Sequence, residues 1–414
     1  MAVVFLITGI SILVYGLVAK FVVSRLAGQG REVAFAVVNV TGIYWFFFHD
    51  EGRIGAWFFS AYFGLALLQY LTLRIFAKRT NGLVWIAFAT PIIALILIRY
   101  VPATAYVWLW NRLSGVSQTN PTLKIASYFV GISYLAFRSS RLVLEVRNGL
   151  VKKPDVWAYL GFCFFLPTMF VGPINSYTNY RRGFAGLPPE IPYGRAISRI
   201  IVGIVKYQFF GNILNQLTYS GLLLDDHPHR WIDLPVAMYS YYLYLYCNFS
   251  GFCDMAIGAA ALIGIPVPEN FDNPFAARNV KDFWNRWHIT LSTWMRDVVF
   301  SPLSKFFVGK FGIHMADHAI ALTIVIVFLL VGIWHGAGWN FAAYGAVHAL
   351  GVVTNHYYTI FLKKKLGRER FKAYNENRWI RAVAVALTFC YCGASLIFFA
   401  NTFPEIKHIF SILR

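Results

Sequence analysis

Apolar stretches follow one another along this chain with short polar breaks between them: 2–24, 33–49, 54–73, 82–98, 124–142, 156–172, 195–221, 232–250, 252–268, 317–338, 339–361 and 379–400. Most approach the ~20 residues an α-helix needs to cross ~30 Å of hydrocarbon. Inside a bilayer only helices and closed barrels satisfy their own backbone groups. The pattern predicts an all-α, polytopic membrane protein, a single integral-membrane domain over 1–414 with about 10–12 transmembrane helices. The first run reads as a span rather than a cleaved signal, because the chain turns straight back into apolar sequence after Arg31.

The polar intervals 113–123, 173–195, 222–231 and 362–378 are ordinary breaks, but 269–316 is not. It is too polar to span, yet carries aromatics at helical spacing, which predicts non-spanning, interfacial or re-entrant helices. Within it lies "DFWNRWHITLSTWMRD", 282–297. Taken as one helix, it places Trp284, Trp287, His288, Leu291, Trp294, Met295 and Val298 on one face and Arg286, Thr290, Thr293 and Asp297 on the other.

Composition agrees with a bilayer setting: 58% of residues are hydrophobic and 13% charged, against ~25% charged in soluble domains. A net charge of +19 would suggest nucleic acid for a soluble chain. Here the basic residues sit in the breaks: Arg25 and Arg31, then Arg74, Lys78 and Arg79, then Arg147, Lys152 and Lys153, and most densely "KKKLGRER", 363–370. By the positive-inside rule these breaks are cytoplasmic and the N-terminus lies outside. Membrane lipids, through anionic headgroups, account for the charge without nucleic acid. Cys163, Cys247, Cys253, Cys390 and Cys392 all fall in apolar runs without metal-ligand or disulfide spacing, and read as packing residues.

Two histidines carry the candidate chemistry. His288 lies on the aromatic face just described, and His335 lies in the last turn of an apolar run, "LLVGIWHGAGWNFAAYGAVH", 329–348. An ionisable side chain within a span tends to face a bundle interior or a wet cavity. Gly332 and Gly336 form a small-xxx-small pair that lets another backbone approach beside it. If 363–370 is cytoplasmic, His335 lies in the outer half or middle of the bilayer. No third ligand is spaced for a metal, and no Walker-A lysine, G-x-S-x-G elbow or dinucleotide fingerprint is present. Neutral imidazole at physiological pH suits general-base work. The competing class is a polytopic transporter or lipid or polymer flippase with structural histidines.

At these residues the sequence resembles the membrane-bound O-acyltransferase family. The likeness rests on "NFDNPFAARNVKDFWNRWHITLSTWMRD" (270–297), "VGIWHGAGWNFAAYGAVH" (331–348), "NFSGFCDMAIG" (248–258) and "VGP" (171–173). "GISYLAFRSSRLVLEVRNGLV" (131–151) and the length look most like its D-alanyl-lipoteichoic acid transferase branch, with the alginate O-acetylase branch second. Asn248 and Asn175 stand where an acid is usual. The resemblance implies a bacterial cytoplasmic-membrane enzyme that bears no bound cofactor. It would pass an acyl group from a cytoplasmic thioester, on a phosphopantetheine-linked acyl-carrier protein or coenzyme A, to a hydroxyl of a surface polymer, directly or through an accessory transferase on the outer side. It also implies His335 as the base and His288 as the second histidine, lining the donor end and helping to position or protonate the thiolate. Asn285, Arg286, Asn248 and the indoles of Trp284, Trp287, Trp294 and Trp334 are expected at the substrate. The segment "VFSPLSKFFVGKFG" (299–312), with Lys305, Phe306, Phe307 and Lys310, is expected either to anchor at the lipid surface or to dock an acidic carrier protein.

Overall fold

The computed structural model describes residues 2–77, 82–101, 108, 112, 131–185, 192–225 and 227–414. Lys78, Arg79, the interval 113–123 and the start of the run 124–142 lie outside them. The described residues are helical, with no strands and only two isolated bridges, His229 with Leu413 and Phe271 with Trp287. The chain divides into two compact units, Met1–Val202 with Phe252–Pro268, and Gly203–Gly251 with Glu269–Arg414.

The first unit contains α1 (Ala2–Arg25), α2 (Gly28–Phe47), α3 (Gly52–Phe76), α4 (Val84–Tyr100), α5 (Ile132–Arg147), α6 (Val156–Cys163), α7 (Tyr177–Ala185) and most of α8 (Tyr193–Ile204). The apolar run 156–172 is not one span. Helix α6 starts under the Asp155 side chain, which accepts from the amides of Trp157 and Ala158 at 2.9 Å each, and ends at Cys163. Pro167, which cannot donate to a helix ladder, then sits in a short 3₁₀ turn. Several buried polar groups in this unit find partners across it, which offsets part of the cost of their burial. Arg138, 1% exposed, donates to the Thr168 carbonyl and hydroxyl. Glu145 accepts from the Thr178 amide at 2.9 Å and hydroxyl at 3.0 Å. Arg181 pairs with Glu32. Asn175, one of the two departures, is buried and donates to the Pro266 carbonyl at 2.9 Å while accepting from Asn179.

The runs 232–250 and 252–268 form a single helix, α9 (Asp233–Ile263), whose residues are shared between the units. Gly251, read as a boundary, is instead a packing notch: a Cβ there would lie 2.7 Å from the Gly203 carbonyl oxygen. The second unit continues with α10 (Val280–Arg286), α11 (Ile289–Met295), α12 (Ser301–Phe311), α13 (Ala316–His335), α14 (Trp339–Glu376), α15 (Arg378–Ser395) and α16 (Phe403–Ile412). The basic run 363–370 is helical rather than a break, and α14 kinks at Gly367, whose φ is 68°. Five described helices are long and apolar enough to cross a membrane: Gly55–Phe76, Tyr193–Leu223, Asp233–Ile263, Ile313–His335 and Arg378–Ala400.

Helices α13 and α14 reverse direction through 336–338 and pack closely. A Cβ on Gly345 would meet the Phe328 carbonyl oxygen at 2.4 Å, and one on Gly332 the Phe341 carbonyl oxygen at 2.2 Å. Gly332 therefore supplies the close backbone approach that the spacing suggested. Gly336 faces the Phe341 ring instead.

Candidate active site

The stretch 282–297 is two helices, not one. Asn279 caps α10 by accepting from the Asp282 amide at 2.8 Å. The helix stops at Trp287, which bridges to Phe271, and His288 then adopts left-handed backbone angles of 46° and 52° before α11 begins. Such a conformation in a non-glycine residue costs of order 1–3 kcal/mol and persists only where the surroundings impose it. Here Asn270 imposes it. Its carbonyl oxygen accepts from the Ile289 amide at 3.0 Å, and its Oδ1 accepts from the Thr290 amide at 3.2 Å and hydroxyl at 2.9 Å. The single helical face expected from the sequence is thereby broken at its histidine: strand-like pairing with 270–272 outcompetes helix propagation.

This geometry fixes the His288 tautomer. An atom that accepts from a backbone amide is the oxygen of Asn270, so His288 Nδ1, 3.1 Å away, must donate to it. The neutral ring then presents an unprotonated Nε2. His288 is 4% exposed, and burial, followed by the nearby His335, pushes it down to about 3. Its ring meets Phe249 edge-on at 4.7 Å and lies 6.3 Å from the Trp334 ring.

His335 closes α13, packed by Trp334 at 4.5 Å, Phe399 at 4.8 Å and Tyr344 at 6.0 Å between ring centroids. The two imidazoles, 47 positions apart in the chain, thus both rest against one indole, that of Trp334.

The other expected residues fall in different places. Trp284 gives its indole N–H to His348 Nδ1 at 3.1 Å. Trp287 stacks on Phe283 at 5.5 Å and meets Phe271 edge-on at 5.0 Å. Trp294 is buried. Arg286 donates to Asp282 at 3.0 Å and lies 3.6 Å from an Asp272 carboxylate oxygen, so it braces the 272–282 loop. Asn248, half-buried, precedes Phe249 on α9. Asn285 lines a cavity of about 520 Å³. That cavity runs between α13 and α14, with Lys281, Arg296, His356 and Lys363 among its polar lining and Leu291, Phe328 and Val331 among its apolar lining. Neither imidazole lines it, but its wall includes Ile289, next to His288, and Val331, one turn before His335. Lys305, Phe306, Phe307 and Lys310 lie on α12, none of whose residues is buried, and Phe306 is 59% exposed.

A third histidine escaped the sequence reading. His348, fully buried on α14, accepts from Trp284 through Nδ1, so Nε2 carries its proton to Ser395 Oγ at 2.9 Å; Ser395 in turn donates to the Cys392 carbonyl at 2.7 Å. Trp284, His348 and Ser395 thus satisfy one another in series, which makes them a brace between α10, α14 and α15. Its signal was an ionisable residue within an apolar run, four positions after Tyr344 and so on the same helical face. Asn270 had no local signal, because its role depends on contacts 18 to 20 positions away.

Residues 56–397 match the membrane-bound O-acyltransferase family. The chain is 30% identical over 364 residues to a teichoic acid D-alanyltransferase of Bacillus subtilis (strain 168), covering 86% of this chain and 88% of that protein. It is 31% identical to a teichoic acid D-alanyltransferase of Streptococcus thermophilus over 67% of this chain and 69% of that one. A probable alginate O-acetylase of Azotobacter vinelandii is 29% identical over 53% of this chain and 42% of its own length.

Proposed function

Because the chain belongs to the membrane-bound O-acyltransferase family, we propose that it transfers a D-alanyl group from a carrier-protein thioester to a hydroxyl of a teichoic acid or its lipid-linked carrier. The protein is a multi-pass membrane acyltransferase, which sets aside the transporter reading. The observation that carries the proposal is the pair of imidazoles against Trp334, beside a cavity whose charged lining is basic. D-alanyl transfer is favoured over acetyl transfer because the likeness to the D-alanyltransferases extends over most of both chains.

In the proposed reaction the acceptor oxygen attacks the thioester carbonyl as His335 takes its proton. The C–O bond forms, the C–S bond breaks, and His335 returns the proton to the departing thiolate. The exposed carbonyls in the last turn of α13 favour positive charge there, so an imidazolium formed in the transition state is supported. His288, with its Nδ1 proton held by Asn270 and its basicity reduced, has no Nε2 proton to give. It serves instead as an acceptor that orients the incoming hydroxyl, not as the thiolate's proton donor. Asn285 on the cavity wall is a candidate contact for the acyl carbonyl.

The donor arm would occupy the 520 Å³ cavity, its phosphate near Lys281, Arg296 and Lys363. On α14 the lining runs from Val352 to Lys363, a rise of about 16 Å. With the 363–370 run in the cytoplasm of a bacterial inner membrane, the basic end faces the donor and the N-terminus lies outside. Lys305, Phe306, Phe307 and Lys310 on the exposed helix α12 offer an acidic carrier protein a basic and apolar landing surface. The test is mass analysis of the carrier-bound thioester consumed by purified protein in lipid, offered D-alanyl and acetyl carriers in turn. Selective loss of the D-alanyl thioester with acylation of teichoic acid is expected. Consumption of the acetyl thioester alone would overturn the choice of acyl group, and full activity in a Lys305→Glu/Lys310→Glu variant would remove the docking role.

A further inference from the structure

A second concavity in this unit, about 1100 Å³, lies away from the histidines between α14, α15 and the 278–280 segment. Past the Gly367 kink, Phe371, Tyr374 and Asn375 of α14 line it; its straight walls run from Trp379 to Tyr391 on α15 and from Leu350 to Leu362 on α14. Each is a rise of about 18 Å at 1.5 Å per residue, close to the ~15 Å of one leaflet's hydrocarbon. The α15 wall begins next to Arg378, the first residue of that helix, and the α14 wall next to Lys363, where the basic run within α14 starts. Trp379 at that end is 70% exposed beneath the Arg378 guanidinium, as interfacial tryptophans commonly sit. Deeper in, the lining is apolar at Leu350, Val383 and Leu387.

The charge of the lining selects an occupant. Its ionised residues are Arg278 and Arg381, and no acid is among them. Both arginines are exposed. Arg278 has one loose ion pair, 3.9 Å from Asp282, whose carboxylate is already engaged by Arg286 at 3.0 Å. Arg381 makes no ion pair among the described residues. We propose that this groove binds one anionic phospholipid of the surrounding bilayer, its phosphate drawn by the arginines of the lining to the Trp379 end, where Arg381 stands, and an acyl chain laid between α14 and α15. Guanidinium groups pair with phosphate in two-pronged fashion, and a leaflet-deep apolar trough fits a tail. At its floor, Tyr391 donates to the Val347 carbonyl at 2.6 Å, and Val347 precedes the bracing His348. The lipid therefore supports the same helix pair that holds the histidine brace, and it does so whatever acyl group the enzyme moves.

The experiment is native mass spectrometry with thermal unfolding of the purified full chain in detergent. The probes are phosphatidylglycerol, phosphatidylcholine and inorganic phosphate, each added alone. Retention of one phosphatidylglycerol, at least about tenfold preferred over phosphatidylcholine, with a raised unfolding temperature is expected. In Arg278→Gln/Arg381→Gln, which alters exposed side chains only, the preference should vanish while the protein still unfolds cooperatively. Leu387→Trp should block the bound lipid. Equal retention of phosphatidylcholine, an unchanged preference in the glutamine variant, or equal stabilisation by inorganic phosphate would overturn the proposal.

Discussion

Asn270→Ala isolates the group that sets the His288 ring. One oxygen, Asn270 Oδ1, serves three buried donors: His288 Nδ1 at 3.1 Å, the Thr290 amide at 3.2 Å and the Thr290 hydroxyl at 2.9 Å. Truncation orphans all three, while the main-chain bond from Ile289 to the Asn270 carbonyl remains. A buried donor left unsatisfied costs ~1–3 kcal/mol, and the hydroxyl is free to turn elsewhere, so the loss should be about 2–4 kcal/mol. The left-handed His288 backbone loses its support at the same time. Orienting partners of metal-bound histidines are worth ~10–100-fold in activity, and a loss of that order is expected for the His288 ring. The assay pairs thermal unfolding in lipid nanodiscs with thioester consumption by the folded fraction. Thr290→Val, which removes one of the three donors and keeps the Asn270–His288 bond, should retain most activity. Asn270→Asp keeps the acceptor and places a carboxylate against the imidazole. It should raise the proton affinity of His288 from its depressed value and shift the pH–rate profile to higher pH. An Asn270→Ala enzyme as stable and as active as the parent would refute the reasoning.

His348→Phe should destabilise the protein by roughly 2–4 kcal/mol, read by thermal unfolding, because it leaves the Trp284 indole N–H and the Ser395 hydroxyl without their partner. Residual activity per folded molecule should survive, unlike in a catalytic variant. Gly345→Ala places a methyl 2.4 Å from the Phe328 carbonyl oxygen. It should force α13 and α14 apart at a cost of about 1–3 kcal/mol, seen as a lower unfolding temperature. The C-terminal helix α16 is clamped by His229, which pairs with Asp225 at 2.8 Å and Asp233 at 3.5 Å and bridges to Leu413, and by His408, which bonds the Asp225 carbonyl. The hydrogen bond to Asp225 raises His229 above its ordinary value, and the bond to His229 lowers Asp225. The His229 contribution is then complete below about pH 6.5 and is lost as pH rises through its raised value. That of Asp225 holds above its ordinary range and is lost as pH falls through its depressed value. Protection of the Phe403–Ile412 amides, taken relative to their intrinsic exchange rate at each pH, should accordingly be greatest at mildly acidic pH and fall above neutrality, and His229→Gln should abolish that fall.

Periodicity of the apolar runs was enough to read a polytopic helical protein, because a bilayer leaves the backbone few alternatives. Boundaries were less legible where one residue type has two uses. Gly251 marks a packing notch inside α9, and Gly367 kinks a helix that continues through the basic run. Helical spacing also misled at 282–297, where Asn270, remote in sequence, pins His288 and Thr290 and splits the helix. The pairing of His288 with His335 was legible as two tryptophan-flanked ionisable residues in apolar surroundings. Their common contact with Trp334, the His288 tautomer and the His348 brace depend on contacts between elements, which no local pattern encodes.

The account rests on His335 as the proton acceptor beside a neutral His288, and single-turnover consumption of a D-alanyl carrier thioester by purified His335→Ala protein in nanodiscs tests it most directly. Removing a general base should lower the rate about 10²–10⁴-fold while the carrier protein still binds and the unfolding temperature stays near that of the parent. Transfer by the folded variant at the parental rate would contradict it.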